Sequence, residues 1–147
     1  MRGFLLLLVL AGFGACGGSD RAACPSGMKA DPSRSLPGRH LWCQDEGGRD
    51  ARYIEFHPGR KQIRQICDYR DGRPAGSYSA WLPGGEPWIT GQYLAGQPEG
   101  RWEQMDSSGK KVAEGVYRGG HLVSGAPVAG TAACERMAER GPDGRPR

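Results

Sequence analysis

Related copies of one stretch of the sequence occur both before and after it. The stretch is Gly91-Gln-Tyr-Leu-Ala-Gly-Gln-Pro-Glu-Gly-Arg-Trp102. The preceding stretch, Cys67–Tyr78, carries its Tyr, Gly, Pro and Gly at matching intervals, and Gly115–Gly125 repeats the opening half. The shared spacing is 24 residues, as three tyrosines and three glycines show: Tyr69, Tyr93, Tyr117, Gly72, Gly96 and Gly120. Self-similarity at a fixed period indicates a repeat architecture, in which each unit buries its apolar face against the next.

An earlier, eroded copy precedes these units. Cys43 lies 24 residues before Cys67, and Gly48 lies 24 residues before Gly72. With one residue deleted, three apolar positions of this copy align with aromatic positions of the next: Tyr53, Phe56 and Ile63 with Tyr78, Trp81 and Trp88. The repeat domain is therefore predicted over residues 39–125.

Each unit reads as a β-hairpin. The segment Ser77–Leu82 is rich in strand formers, Pro83-Gly84-Gly85 is a turn, and Pro87–Tyr93 is again strand-like. A second turn lies within Tyr93–Gly100, where glycine permits the positive φ of a tight reversal. Successive hairpins predict an all-β fold, an elongated antiparallel sheet that is stable because several hairpins stack.

Strand alternation assigns the aromatic side chains to faces. One buried row is predicted to form the repeat core: Tyr53, Tyr69, Tyr78, Tyr93, Trp102 and Tyr117. A weaker apolar row, with Phe56, Trp81 and Met105, is predicted on the other face. Trp81 and Trp88 have aliphatic counterparts in other units, so they are the candidates for an exposed partner surface.

The third unit resembles a MORN-type repeat, in the variant found in bacterial antitoxin-like proteins. That family has the pattern Gly-x-Tyr-x-x-Gly-x-x-x-Gly-x-Trp, which Gly91–Trp102 matches at every position. The second unit has Cys67 for the first Gly and Tyr78 for the Trp, and the fourth breaks off at Ser124. The resemblance covers residues 43–125. It implies an extended sheet of hairpins used as a non-catalytic scaffold or binding surface.

The cysteines indicate an oxidising compartment. Setting Cys16 aside leaves four, Cys24, Cys43, Cys67 and Cys134, which suggests two disulfides. If Cys43 and Cys67 occupy equivalent positions two strands apart, about 9–10 Å would separate their Cα atoms, too far for a disulfide. We expect Cys24–Cys43 with Cys67–Cys134, while the crossed pairing, Cys24–Cys67 with Cys43–Cys134, stays open.

The N-terminus predicts export. Residues 1–15 combine a positive start, an apolar run from Phe4 to Val9 and small residues, as in a secretory signal peptide. Phe13-Gly14-Ala15-Cys16 resembles the lipobox of bacterial lipoproteins, which implies lipidation of Cys16 and membrane anchoring through that lipid. Gly17 favours the outer membrane, and the alternative is plain secretion with a spare thiol. Residues 16–38 are predicted to be a flexible tether and residues 126–147 a C-terminal tail.

No catalytic or cofactor motif stands out. The histidines His40, His57 and His121 are isolated and are expected at the surface. No metal site is predicted, because there is no CxxC and no His at ligand spacing from a Cys; Asp45–Asp50 only faintly suggests a calcium loop. The net charge of +4 comes without a dense basic run, which argues against a nucleic-acid partner.

The sequence thus predicts a non-catalytic envelope lipoprotein that requires no cofactor. Its repeat array would bind an unknown protein partner or act as a scaffold, through a sheet face or an exposed edge strand. Two alternatives are an antitoxin or immunity protein that neutralises a toxin, and a glycan-binding module at the cell wall.

Overall fold

The computed structural model describes residues 22–59 and 61–138. They form one open sheet of nine antiparallel strands, each hydrogen-bonded to the next in chain order, and one short helix. The elements are β1 (Lys29–Ala30), β2 (His40–Gln44), β3 (Asp50–Phe56), β4 (Ile63–Arg70), β5 (Arg73–Trp81), β6 (Pro87–Leu94), β7 (Gln97–Met105), β8 (Lys111–Arg118), β9 (His121–Gly125) and α1 (Ala133–Ala138). The predicted all-β sheet of successive hairpins is confirmed.

Three two-residue turns recur at the 24-residue period. They are Asp71-Gly72, Ala95-Gly96 and Gly119-Gly120, and both residues of each have positive φ. This is the backbone of a type I′ turn, whose twist matches that of the flanking strands. The recurrent glycine at the second position supplies a conformation that costs other residues energy, which explains why it marks every unit.

The longer turns are each followed by one unpaired residue. Phe56 pairs with Ile63 and Glu55 with Gln65, so Arg64 is extra. Trp88 and Val112 occupy the equivalent position after the next two turns. Such a bulge turns the extra side chain toward the face of its neighbour. Trp88 accordingly packs with Ile89 on the same face of the sheet.

The register corrects the predicted alignment of the first unit. Ile63 pairs with Phe56 as Pro87 pairs with Trp81, so Ile63 corresponds to Pro87 and not to Trp88. The predicted one-residue deletion is confined to the turn before Ile63, which is one residue longer than the turn before Pro87.

The equivalence of Cys43 with Cys67 is also wrong. Trp42 pairs with Tyr53 as Cys67 pairs with Tyr78, so Trp42 is the residue that corresponds to Cys67. Cys43 points to the opposite side of the sheet and belongs to a different core cluster from Cys67.

The two sides of the sheet carry separate cores. We call the larger the aromatic face: Trp42, Ala51, Tyr53, Cys67, Tyr69, Tyr78, Ala80, Ile89, Tyr93, Trp102 and Tyr117, all buried. The other side has a smaller cluster, the second cluster, in which Cys43, Ile54 and Ile66 are buried against Cys24, Met28, Leu41, Phe56, Ile63 and Trp81. The second cluster extends no further along the sheet than β5.

After β9 the chain turns back across the sheet. Residues 126–134, which we call the strap, run over the aromatic face, and Val128, Ala133 and Cys134 are buried in its core. α1 then packs beside β5. The predicted tail therefore begins as part of the fold and includes α1.

The described part of the predicted tether, from residue 22 onward, is likewise joined to the sheet. β1 pairs with β2, and Cys24 is bonded to Cys43. The ordered unit is thus longer at both ends than the predicted repeat domain.

Candidate functional site

The centre of the aromatic face is a ring stack that needs a glycine. The rings of Tyr78 and Trp102 are stacked, with centroids 5.4 Å apart and planes at 29°. They lie on β5 and β7, on either side of Gly91 in β6. A Cβ atom at residue 91 would overlap the Trp102 ring. The absence of a side chain on β6 therefore lets two rings from alternate strands meet above it.

Tyrosines of the next row pack edge-on against this stack. Tyr93 makes T-shaped contacts with Tyr78 and Trp102, at centroid distances of 6.1 and 5.2 Å. Tyr117 contacts Trp102 in the same manner, at 6.2 Å. These are favourable aromatic geometries, which add to the burial of apolar area.

The hydroxyl groups of the three 24-spaced tyrosines bind the strap. Tyr69 Oη donates to the carbonyl of Cys134 at 2.7 Å, and Tyr93 Oη donates to the carbonyls of Gly130 and Thr131 at 3.2 and 3.0 Å. Tyr117 Oη accepts from the backbone N–H of Val128 at 3.0 Å. One residue type, repeated every second strand, thus fastens the strap across the sheet.

Burial keeps two of these donors protonated. Desolvation raises the pKa of Tyr69 and of Tyr93 well above the usual value for tyrosine. Each hydroxyl therefore retains the proton that it donates to the strap at all physiological pH values.

A disulfide closes the far end of the strap. Cys67 and Cys134 are bonded, with Cα atoms 5.7 Å apart, and neither is exposed. With Cys24–Cys43, this is the pairing that the sequence favours over its crossed alternative. All six predicted core rings are buried. The protein's own chain covers them, which leaves little of the aromatic face for a partner.

The opposite side changes character along the sheet. Over β2–β4 it is apolar, and the segment around Cys24 and Met28 covers it. Over β7 and β8 it carries ion pairs instead: Arg101 with Glu114 at 2.9 Å, and Lys111 with both Glu103 and Glu114. Exposed pairs of this kind contribute little to stability, so this area is a solvated surface.

The edge strand β9 is the most exposed apolar element of the sheet. All five of its residues are exposed, and Val123 retains 54% of its surface. Leu122 lies beside it, and the bulge residue Val112 is 55% exposed on the neighbouring strand β8. The exposed apolar side chains of β9, which we call the β9 edge, are Leu122 and Val123.

A pocket of about 320 Å³ opens between the sheet and α1. We call it the Trp88 pocket. Its lining is Glu55, Arg64, Gln65, Tyr78, Ala80, Trp88, Ile89, Gly130, Ala133, Arg136 and Met137. Trp88 is half-buried there, whereas Trp81 packs against the second cluster on the other side of the sheet. The two tryptophans therefore do not form a common partner surface.

The histidines show no catalytic arrangement. His57 is buried, contrary to expectation, and its Nε2 lies 3.0 Å from the carbonyl oxygen of Trp81. His40 Nε2 lies 3.1 Å from the carbonyl oxygen of Arg34, and desolvation lowers the pKa of His40. His121 is exposed in β9.

No metal-binding group was found in the described chain. Over residues 22–59 and 61–138, His, Cys, Asp and Glu side chains nowhere gather in threes in a way that could hold a metal ion. In the faint calcium loop, Asp45 accepts a hydrogen bond from the backbone N–H of Asp50, which is ordinary turn stabilisation.

No protein-family model matches the chain, and neither does any curated protein or any solved structure. Of the described helices, none has the length and apolar character needed to cross a membrane. The predicted signal peptide and the lipidation site Cys16 lie outside the described residues.

Sequence reasoning misses the strap and the Trp88 pocket. Neither Val128 nor Gly130 belongs to the repeat, and Gln65 and Glu55 have no counterpart of the same type in later units. One signal is available, because a buried tyrosine hydroxyl needs a hydrogen-bond partner and the repeat predicts three of them in one row.

Proposed function

We propose that this protein is a non-catalytic binding module of the bacterial envelope, which recognises a protein partner through the β9 edge. The observation that supports this most directly is the contrast between the two candidate surfaces. The aromatic face is closed by the strap, while all five residues of β9 are exposed.

Edge strands pair with other chains because their outer backbone N–H and C=O groups have no partner within the sheet. At the opposite end of the sheet, β1 has only two residues. β9 has five, about 17 Å of strand, and none of them is Asp, Glu, Lys or Arg. It therefore lacks the charged side chains with which many proteins protect a sheet edge.

The repeat also indicates the shape of the occupant. The unit beginning at Gly115 breaks off within β9, so the next strand of the array would pair with the free edge of β9. We propose that this occupant is an extended segment of another protein. Backbone hydrogen bonds would supply affinity, and apolar side chains at alternate positions would contact Leu122 and Val123.

The proposed anchor is a lipid on Cys16, which follows from the lipobox resemblance. Anchoring would hold the sheet at the membrane surface, where an envelope partner is encountered. Mass spectrometry of the membrane-extracted protein tests it: an acylated N-terminal Cys16 is expected, and Cys16→Ala should release the protein from the membrane. A processed chain with a free Cys16 thiol would refute the anchor and leave the edge proposal intact.

The edge proposal is tested by site-specific photo-crosslinking in living cells. A benzophenone amino acid at Val123 is compared with one at Leu94, which is 65% exposed at the end of β6. We expect one discrete protein adduct from position 123 and none from position 94. Equal adducts from both positions would contradict recognition through the edge.

The adduct is then rebuilt from purified components. Val123→Lys should weaken binding of the identified partner at least tenfold, because a charged lysine opposes strand addition. Leu94→Lys is the matched control and should leave the affinity unchanged. If the purified partner binds both variants equally, the edge is not the binding site. A toxin as partner would specify the function as immunity.

A further inference from the structure

We infer that the Trp88 pocket binds a sugar residue that carries a carboxylate. This site shares no lining residue with the β9 edge, and it does not depend on the proposed partner. The inference rests on the pocket's size, on a buried polar chain within it, on the charges at its mouth and on the placement of one tryptophan.

The size fits one saccharide unit. Ligand pockets generally begin at about 300 Å³, and this one is about 320 Å³. Ala80 and Ile89 form an apolar floor, each no more than 3% exposed. Trp88 and Met137 of α1 also line the pocket. A ring-sized molecule can therefore enter, whereas an extended chain cannot be enclosed.

A chain of hydrogen-bonded polar side chains lies at the bottom of the pocket. Tyr78 Oη donates to Gln65 Oε1 at 2.9 Å, and Gln65 Nε2 donates to Glu55 Oε2 at 2.6 Å. Gln65 is only 7% exposed although it is polar. An amide nitrogen carries two hydrogens and a carboxylate has several acceptor positions, so the chain retains hydrogen-bonding capacity for ligand hydroxyl groups.

The ends of this chain are set by its surroundings. Burial, assisted by the charge of Glu55, raises the pKa of Tyr78 to about 12. The hydroxyl therefore keeps its proton, and the Glu55 carboxylate, which accepts from Gln65 Nε2, orients the amide with its oxygen toward Tyr78. Gln65 then presents its nitrogen toward Glu55 and the opening.

Two guanidinium groups border the pocket. Arg64 Nη1 lies 3.7 Å from Glu55 Oε1, beyond hydrogen-bond distance, and Arg136 projects from α1 as an exposed side chain. Two positive charges against one carboxylate leave an excess of +1 in the lining. Guanidinium groups bind carboxylates through paired N–H donors, so the excess charge favours an anionic ligand.

Trp88 occupies its place through the bulge after the longer turn. The equivalent residues of the neighbouring units are Arg64 and Val112, so only this unit puts an aromatic ring there. A flat apolar ring beside fixed polar groups is suited to the C–H face of a sugar, whose hydroxyl groups point outward from the ring.

The test uses ¹⁵N-labelled mature protein and three probes: glucuronic acid, glucose and acetate. We expect glucuronic acid to shift the Trp88 indole N–H and the Gln65 side-chain amide signals in a saturable manner. Glucose and acetate should each bind at least tenfold more weakly, because the first lacks the anion and the second lacks the ring. Trp88→Phe identifies the indole signal.

Matched variants locate the site. Arg136→Gln should weaken glucuronic acid binding at least tenfold, while Arg118→Gln, an equally exposed arginine near the β9 edge, should not change it. Val123→Lys should also leave it unchanged, which separates this inference from the edge proposal. An absence of shifts at about 10 mM glucuronic acid would refute it. If glucose binds as tightly as glucuronic acid, the ligand does not need a carboxylate. If acetate binds as tightly, the ligand does not need a sugar ring.

Discussion

Two neighbouring rows of side chains cross the same seven strands, β2 to β8, and differ in how far they stay buried. The row on the aromatic face stays covered from β2 to β8. In register order it is Trp42, Tyr53, Cys67, Tyr78, Gly91, Trp102 and Gly115, all buried except the half-buried Gly91. The row beside it, on the other face, begins as Leu41, Ile54 and Ile66 and continues as Ser79, Thr90, Glu103 and Glu114. Strands β2–β4 are thus covered on both faces and β5–β8 on one.

The difference shows two ways of stabilising one repeat. In β2–β4 the sheet is a middle layer, and the segment held by Cys24–Cys43 covers its second face. In β5–β8 the strap covers the aromatic face, and the second face is left to water. Each covering segment is joined to the sheet by its own disulfide. A small all-β chain needs such coverings because a single-layer sheet buries little apolar area.

The largest predicted effect comes from removing a core side chain in β5–β8, the strands that are covered on one face only. Trp102→Ala removes a fully buried ring, and we expect it to lower the free energy of unfolding by about 3–5 kcal/mol. Ile54→Ala, in the strands β2–β4 that are covered on both faces, removes fewer atoms and should lower the free energy of unfolding by about 2–4 kcal/mol. Urea denaturation of both variants measures the two values.

The same experiment asks whether the two regions unfold together. The sheet is continuous, so both variants should shift one cooperative transition. Val112→Ala, at an exposed site, is the control and should change stability by no more than about 0.5 kcal/mol. Two separate transitions in either core variant would show that the regions fold as independent units.

Much of the aromatic face is predictable from the sequence because its residues recur. The 24-residue period locates the hairpins, the glycine-bearing turns and five of the six core rings, and a one-residue deletion adds Tyr53. The faces are predictable as well, since Phe56 and Trp81 lie opposite Tyr53 and Tyr78, as strand alternation requires.

Prediction from the sequence fails where one repeat unit has a residue more or less than the next. The sequence aligns Ile63 with Trp88 because the offset that fits Tyr53 and Phe56 is carried across a turn that is one residue longer in the first unit. It aligns Cys43 with Cys67 because the two residues are identical, although Trp42 occupies the matching site. Because successive strand residues alternate between faces, a single-residue error moves a side chain to the wrong side of the sheet.

The strap is not predictable from residue pattern. Its bonds to the tyrosines use backbone carbonyl and N–H groups, which nearly every residue type supplies, so its sequence needs no motif. The Trp88 pocket is not predictable from residue pattern either, because its lining combines residues of α1 with residues at β-bulges.

The second prediction compares the two disulfides. Replacing both Cys67 and Cys134 by alanine opens a link spanning 67 residues, and replacing Cys24 and Cys43 opens one spanning 19. Chain-entropy estimates give about 4 and about 3 kcal/mol of lost stability. Thermal or urea unfolding of the two double variants measures the difference, with the unmodified oxidised protein as reference.

One outcome would contradict the expected order of the two disulfides. If the Cys24–Cys43 variant proves the less stable of the two, the covering of β2–β4 matters more than the strap. Hydrogen exchange then shows where protection is lost. We expect losses at residues 126–134 in the Cys67 and Cys134 variant, and at β1 and its neighbours in the other.

The smallest predicted effects come from removing single tyrosine hydroxyls beneath the strap. Tyr117→Phe leaves the buried N–H of Val128 without its acceptor, at a cost of about 1–3 kcal/mol. Tyr69→Phe deprives the Cys134 carbonyl of its donor, but the adjacent disulfide still holds that end. Exchange of the Val128 amide should therefore accelerate in Tyr117→Phe and stay unchanged in Tyr69→Phe.

Tyr78→Phe is the matched control for this pair of variants. Its hydroxyl donates to Gln65 and not to the strap, so the substitution should reduce stability without changing exchange at Val128. Equal acceleration in all three variants would mean that the strap senses only overall stability, because exchange through global unfolding depends on the total free energy. Acceleration in Tyr117→Phe alone would show that the strap opens from its β9 end, next to the proposed binding edge, while the disulfide keeps its other end closed.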